Sequence, residues 1–174
     1  MQQLLLQLAP PPAPTLDNFV TGRNGAALQA LREIATGAGT ERFVYLWGEA
    51  GSGRTHLLRG LTQAAGARKA LHFSGATGIS VADDQVIAMD DVQHLAPGEQ
   101  IKLFNLYNRV RTAGGALVAS GDAAPAHLAL RADLRSRLAW GLAFQLHPLS
   151  DAEKTAALRA HARARALDLP EDVI

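Results

Sequence analysis

The stretch Leu46-Trp47-Gly48-Glu49-Ala50-Gly51-Ser52-Gly53-Arg54-Thr55-His56 decides how the rest of the chain is read. It fits the phosphate-loop pattern G-x-x-x-x-G-K-[ST] except that Arg54 stands in the lysine position. Gly48, Gly51 and Gly53, with Ser52 among them, let the backbone turn its N–H groups toward phosphate oxygens. The start of the next helix, Arg54 to His56, adds positive potential. Thr55 supplies a hydroxyl for a magnesium ion. The context fits, because residues 42–47 (RFVYLW) form a β-branched and aromatic run that predicts a buried strand, and residues 54–65 repeat with helical period. A plain strand-to-helix turn is the bland alternative.

Arg54 carries the functional question. A lysine reaches the β- and γ-phosphates as a compact point charge, whereas a guanidinium is larger, planar and bidentate. Arg54 can still hold phosphate, in a geometry less suited to turnover, so binding with slow hydrolysis is expected. Drift toward arginine is a parallel explanation, since 14 of the 17 basic residues are Arg and three are Lys.

Further along, Val86-Ile87-Ala88-Met89-Asp90-Asp91 is an apolar strand ending in two carboxylates, a Walker B pattern. In that reading Asp90 holds magnesium through water and Asp91 orients the attacking water. Residues 116–122 (ALVASGD) form another strand with a polar end, where Ser120 or Asp122 could sense the γ-phosphate or simply make a turn. Residues 134–141 (LRSRLAWG) carry Arg135 and Arg137. Two such arginines are usually surface groups, but after a sensor strand one can serve as an arginine finger toward a neighbouring subunit.

The remaining pattern organises these motifs. Helical spacing is predicted over 24–36 and 98–112, and strands over 69–73, 85–90, 116–120 and 143–146. Strands alternating with helices predict an α/β fold with a parallel sheet flanked by helices. Ser150 and Glu153 form a capping box that opens an Ala-rich helix to about residue 166. A further helix begins near 170–172 as the sequence stops, so an incomplete helical lid is expected. Residues 9–14 (APPPAP) favour an extended polyproline tether that sets the first eight residues apart.

Composition narrows the function classes. Apolar residues are 48% and charged residues 19%, a soluble globular balance, and without cysteine there is no disulfide or thiolate site. A net charge of +1 argues against a strongly electrostatic nucleic-acid binder, so DNA contact is expected to be mainly indirect. The N-terminus has no basic n-region, and no apolar run is long enough to span a bilayer, which predicts a cytoplasmic protein without membrane contact. His56, His72 and His94 show no metal-ligand spacing.

Residues 15–22 (TLDNFVTG), 89–95 (MDDVQHL) and 134–142 (LRSRLAWGL) together resemble the ATPase domain of DnaA-type replication initiators. The resemblance covers about 15–174 and implies an AAA+ P-loop NTPase core over 15–148 and the start of a small helical lid over 149–174. It implies adenine near Phe19 and Val20, phosphates along Gly51 to His56, a nucleotide contact from Asp122, magnesium at Thr55 and Asp90, and catalytic roles for Asp91 and Arg137, with Arg135 as second choice for the finger. Where an initiator has a helicase-interaction domain, this chain has residues 1–14, whose Gln3, Leu4, Leu6 and Leu8 resemble a sliding-clamp-binding peptide. The combination resembles the regulatory-inactivator branch of the DnaA-like family. That branch implies an ADP- or ATP-binding, magnesium-using protein that docks on the DNA-loaded sliding clamp. Arg137 is then offered in trans to the ATP of the DnaA initiator, and replication initiation is inhibited. Weak or no ATPase of its own is expected, and self-association through the finger face is compatible with such a core. The lid arginine that senses nucleotide in the family would lie beyond residue 174.

Three rivals stand beside this reading. An AAA+ helicase loader of the DnaC type would share the loop, but would not be expected to carry a clamp peptide and would usually keep the lysine. A small P-loop kinase needs an acceptor-directed catalytic residue, for which there is no candidate. Direct DNA binding through Arg159, His161, Arg163 and Arg165 is opposed by their spread around the helix and by Asp151, Glu153 and Asp168 flanking them.

Overall fold

The computed structural model describes residues 12–66, 70–74 and 85–164. The elements run α1 (Gly25–Thr36), β1 (Phe43–Trp47), α2 (Arg54–Ala64), β2 (Ala70–Ser74), β3 (Val86–Asp90), α3 (Pro97–Ala113), β4 (Ala116–Gly121), α4 (Ala132–Leu138), β5 (Leu142–Gln145) and α5 (Asp151–Ala164). The five strands form one sheet in the order β2-β3-β4-β1-β5, and every neighbouring pair is parallel. All strand C-termini therefore share one edge, the edge at which open parallel sheets bind ligands.

Strand alternation divides the core in two. Val44, Leu46, Val86, Ala88, Ala116 and Val118 pack with α1 and α2 through Leu28, Leu31, Ile34, Leu57, Leu58 and Leu61. The residues between them, Tyr45, Ile87, Met89, Leu117 and Ala119, point the other way and pack with Leu103, Leu106, Val110, Leu134 and Leu138 of α3 and α4. Burial on both faces is why these strands read as near-continuous apolar runs.

The helix ends follow local chemistry. Gly37 closes α1 in the left-handed conformation (φ 75°), and Gly114 closes α3 in the same way (φ 79°). α3 starts at Pro97, one residue before the predicted start, because proline suits the first helical position, where its missing N–H is not needed. Glu99 reaches back to accept the Ala96 N–H at 2.9 Å. The capping box at α5 forms as the pattern indicates. Glu153 accepts the Ser150 N–H at 2.8 Å, and the Ser150 hydroxyl accepts the Glu153 N–H at 3.3 Å.

Two features have no local signal. α4 is a seven-residue helix whose apolar anchors are Leu134 and Leu138, too short a pattern to read as helical. It is placed by buried Gln100 of α3, which donates to the Leu95 carbonyl and accepts the Arg131 N–H, both at 2.9 Å. Asn24 opens α1 without capping it. Its amide instead forms a two-way bridge to His147, donating to the carbonyl at 2.9 Å and accepting the N–H at 2.8 Å. The predicted elements beyond residue 164, residues 75–84 and the octet with Gln3, Leu4, Leu6 and Leu8 lie outside the described residues.

β5 sits against β1 so closely that a Cβ at Gly141 would overlap the Phe43 carbonyl oxygen. Gly141→Ala is expected to destabilise by about 1–3 kcal/mol, as overpacked sites do. That corresponds to roughly 2–4 °C of Tm per kcal/mol for a domain of this size. Gly98→Ala, with open space around its Cβ, is the control and should leave the Tm unchanged or slightly raised. Thermal melts by circular dichroism check both.

Candidate nucleotide site and arginine face

β1 ends at Trp47 and the chain turns through residues 48–53 into α2. Gly48 passes so near β5 that a Cβ would lie 2.5 Å from the Leu146 carbonyl oxygen. Gly51 (φ 82°) and Gly53 (φ 96°) make the turn in the left-handed region, which side chains disfavour. Gly53 has a second reason to be glycine, since a Cβ would stand 2.7 Å from Cε2 of Phe19.

Phe19 thus lies against the phosphate loop, where the adenine side of the site was expected, and Val20 beside it is half-buried. The segment that carries Phe19 is anchored on α2. The His56 ring stands 5.5 Å from the Phe19 ring, and its Nε2 lies 2.9 Å from the Thr15 carbonyl oxygen. Thr15 and Asn18 brace each other, Asn18 Oδ1 accepting the Thr15 N–H at 2.8 Å and Thr15 Oγ1 accepting the Asn18 N–H at 2.9 Å.

Arg54 opens α2 and reaches across to β3. Its Nη2 is 3.3 Å from Asp91 Oδ1, with the two side chains 13% and 36% exposed. Asp91 is itself an outlier, the one non-glycine with positive φ (50°) among the described residues. It is held there on three sides. Its N–H faces Asp90 Oδ1 at 3.1 Å and Ser120 Oγ at 3.2 Å, and its Oδ1 accepts the Gln93 amide at 3.1 Å. Strained backbone of this kind persists where neighbours over-determine it.

Asp90 is buried, and its Oδ1 accepts the Ser120 hydroxyl. The β3–β4 register, Met89 beside Ala119, sets those two side chains side by side. Ser120 therefore orients Asp90, a role its sequence position did not disclose. Asp122 is exposed. Its charge raises the Tyr45 phenol above the ordinary tyrosine value, second to burial and against the lowering effect of Arg54. Tyr45 stays a neutral donor, bonded to the Ala123 carbonyl at 2.9 Å.

Four buried side-chain atoms among the described residues have no hydrogen-bond partner: Ser52 Oγ, Arg54 Nη1, Gln93 Oε1 and Gln85 Oε1. Three of the four border the loop or the Asp pair. An unmet buried polar group costs about 1–3 kcal/mol, and these unmet groups gather at the loop and the Asp pair. Arg54 Nη1 and the first amides of α2 are donors suited to a phosphate. No group of three or more His, Cys, Asp or Glu gathers to hold a metal among the described residues. Thr55 and Asp90 are the side chains that could hold magnesium, which binds few protein oxygens and completes its shell with phosphate and water, whereas Asp91 is engaged by Arg54.

The second arginine group stands on α4. Arg135 Nη1 donates to the Ala126 carbonyl at 3.3 Å. Arg137 Nε donates to Asn108 Oδ1 at 3.1 Å, and its guanidinium lies 5.4 Å from the Phe104 ring and 4.5 Å from the Trp140 ring. The partners of Arg137 thus belong to α3 and the turn after α4, not to the phosphate loop of its own chain. His94 is exposed on a short 3-10 turn that follows Asp91. On α5, Arg159 is exposed, while the side chains of His161, Arg163 and Arg165 lie outside the described residues. Among the described residues no helix is long and apolar enough to cross a membrane.

Comparison with known proteins agrees with this geometry. The family model for the bacterial DnaA ATPase domain matches residues 12–72 and 79–145. A Haemophilus influenzae protein without an assigned function is 31% identical over 172 residues, 91% of this chain and 74% of its own. Domain III of the Thermotoga maritima replication initiation protein DnaA superposes with a TM-score of 0.79 at 25% identity, covering 94% of this chain and 79% of that one. DnaA from Aquifex aeolicus, solved with AMPPCP bound, superposes at 0.78 with 22% identity. It covers 94% of this chain, which spans 59% of that DnaA. The fold is that of an AAA+ P-loop NTPase core, and the chain belongs to the bacterial DnaA ATPase domain family.

Proposed function

We propose that this chain is a negative regulator of replication initiation of the Hda type, a nucleotide-holding AAA+ domain that acts on the initiator's ATP rather than its own. The observation that carries the reading is the Arg54–Asp91 ion pair. In an AAA+ site the second carboxylate of the Walker B strand orients the attacking water, and the loop cation serves the phosphates. Here the cation and the carboxylate engage each other, so the groups needed for turnover are withheld while the donors that hold a phosphate remain. The chain then keeps ADP or ATP, with magnesium, as a bound element of its structure and hydrolyses it weakly or not at all.

Arg137 supplies the other half of the reading. It stands on an accessible helix, away from its own loop, as a finger directed at a neighbouring subunit must. Offered to ATP on the DnaA-type initiator, its guanidinium stabilises the charge that builds on the phosphoryl oxygens. Water attacks the γ-phosphorus, the bond to the β-γ bridging oxygen breaks, and inactive ADP-bound initiator remains. In this proposal residues 1–14 are the clamp-binding peptide and tether, and 149–174 the start of the lid. Gln3, Leu4, Leu6 and Leu8 dock on the DNA-loaded sliding clamp, which brings the finger to the initiator.

Three measurements test the parts separately. Arg54→Lys should raise the chain's own ATP hydrolysis by about tenfold, since a lysine leaves Asp91 free. Single-turnover hydrolysis no faster than the parent's would sink the withheld-carboxylate account. Deletion of Met1 to Leu8 should abolish binding to the loaded clamp in a surface-capture assay; binding by the truncated chain, or by neither chain, removes the clamp from the proposal and raises the helicase-loader reading. Arg137→Ala should reduce stimulation of the initiator's ATPase by about 10³-fold, the scale of a lost finger. Stimulation at the parent's rate would reassign the role to Arg135 or dismiss it.

A further inference from the structure

Trp140 is 56% exposed, more than a ring of its size usually is in a folded domain. Two guanidinium groups converge on it. The Arg111 carbon lies 4.1 Å from the ring centroid and the Arg137 carbon 4.5 Å. Both distances are well inside the range at which an indole attracts a cation. The ring is fixed from both sides in sequence. The backbone N–H of Trp140 donates to the Arg137 carbonyl at 3.1 Å, closing the turn after α4, and Gly141 next to it is pressed on the Phe43 backbone. Trp140 therefore stands at a set place relative to β1 and β5 although its own surface is open.

The hold on Arg137 is partial in a useful way. Nε is committed to Asn108, and one guanidinium face is given to the indole. Neither contact uses the Nη groups, whose four N–H bonds are the ones that reach a phosphate. An unstacked arginine samples many rotamers, and a reacting group held near its working pose is used far more efficiently. Arg111 comes to the same ring from α3, so one indole ties a cation of α3 to a cation of α4.

We infer that Trp140 is the positioning residue of the arginine finger, stacking Arg137 into its working pose with Arg111 as the second cation on the ring. This rests on the finger reading of Arg137. It adds that the pose is preset in the free chain by an exposed aromatic residue that does not itself meet the nucleotide.

The test has two arms. The first uses the full chain alone, with Trp47 replaced by Phe so that Trp140 is the sole emitter. Arg137→Ala and Arg111→Ala should each shift the emission of Trp140. Unchanged spectra in both would overturn the stack, whatever Arg137 does. The second measures initiator ATPase against concentration of the chain. Trp140→Ala should lower the maximal rate by about tenfold with the half-saturating concentration unchanged, and Trp140→Phe should restore it to within about threefold. An unchanged melting temperature for Trp140→Ala keeps unfolding out of the comparison. If Trp140→Ala keeps the parent's maximal rate while Arg137→Ala abolishes it, the positioning role fails and the finger reading survives. If Trp140→Ala raises only the half-saturating concentration, Trp140 is a docking contact and the inference fails. If Arg137→Ala itself acts at the parent's rate, the finger reading falls and the inference falls with it.

Discussion

β1 pairs with β4 along one side and β5 along the other, in parallel on both. It is buried on both faces as well, and it hands its C-terminal end straight to the phosphate loop. Because every strand of the sheet runs the same way, the Asp90–Asp91 end of β3 and the Ser120–Gly121 end of β4 arrive at that same edge. The loop, the carboxylates and the residue that orients Asp90 are neighbours because of strand direction, not because of closeness in sequence. The pairing also explains the tolerances of the loop. With β5 one strand-width away, the entrance to the loop must pass the Leu146 carbonyl, and Gly48 is the residue that can.

On this frame a lysine-to-arginine change acts on more than the phosphate. A longer, forked cation at the head of α2 can reach the strand beyond the loop, and Asp91 is there to meet it. A partly buried pair of this kind gains attraction in a less polar medium and loses hydration. Its importance lies in occupation rather than in strength. The same carboxylate cannot both hold a guanidinium and aim a water, and the unusual backbone of Asp91 presents the side chain to the loop. Arg54 Nη1 is left without a partner on the other side of the fork.

Much of this was legible in the residues, and the reasons differ by element. The loop, the Asp-Asp strand and the α5 capping box are short patterns whose spacing is the chemistry itself. Strands β1, β3 and β4 are legible because burial on both faces leaves an apolar run. What sequence could not disclose depends on contacts distant along the chain. Ser120 looked like a turn or a phosphate sensor until the β3–β4 register set it on Asp90. Asn24 looked like the start of a helix, while its amide is used 123 positions away at His147. α4 was invisible because two leucines make no period, and with it the setting of Arg137 among Phe104, Asn108 and Trp140 stayed hidden. The Arg54–Asp91 contact was foreseeable only as a question about the missing lysine.

Tyr45 and Gly121 show how such contacts order the changes a lineage can accept. A methyl group at position 121 would overlap the Tyr45 hydroxyl, the same hydroxyl that is bonded to Ala123. Replacing the glycine first meets a wall. Replacing the tyrosine with phenylalanine first gives up a hydrogen bond of about 1 kcal/mol and removes the worst overlap, leaving a methyl at 121 with tight approaches of 3.2 Å to the ring Cζ and 3.3 Å to Gln93 Oε1 that a small shift relieves. The two positions lie 76 residues apart in the chain and on adjacent strands, yet they form a one-way path. A record of related chains that carried alanine at 121 beside tyrosine at 45 would have to show the strand ends pushed apart.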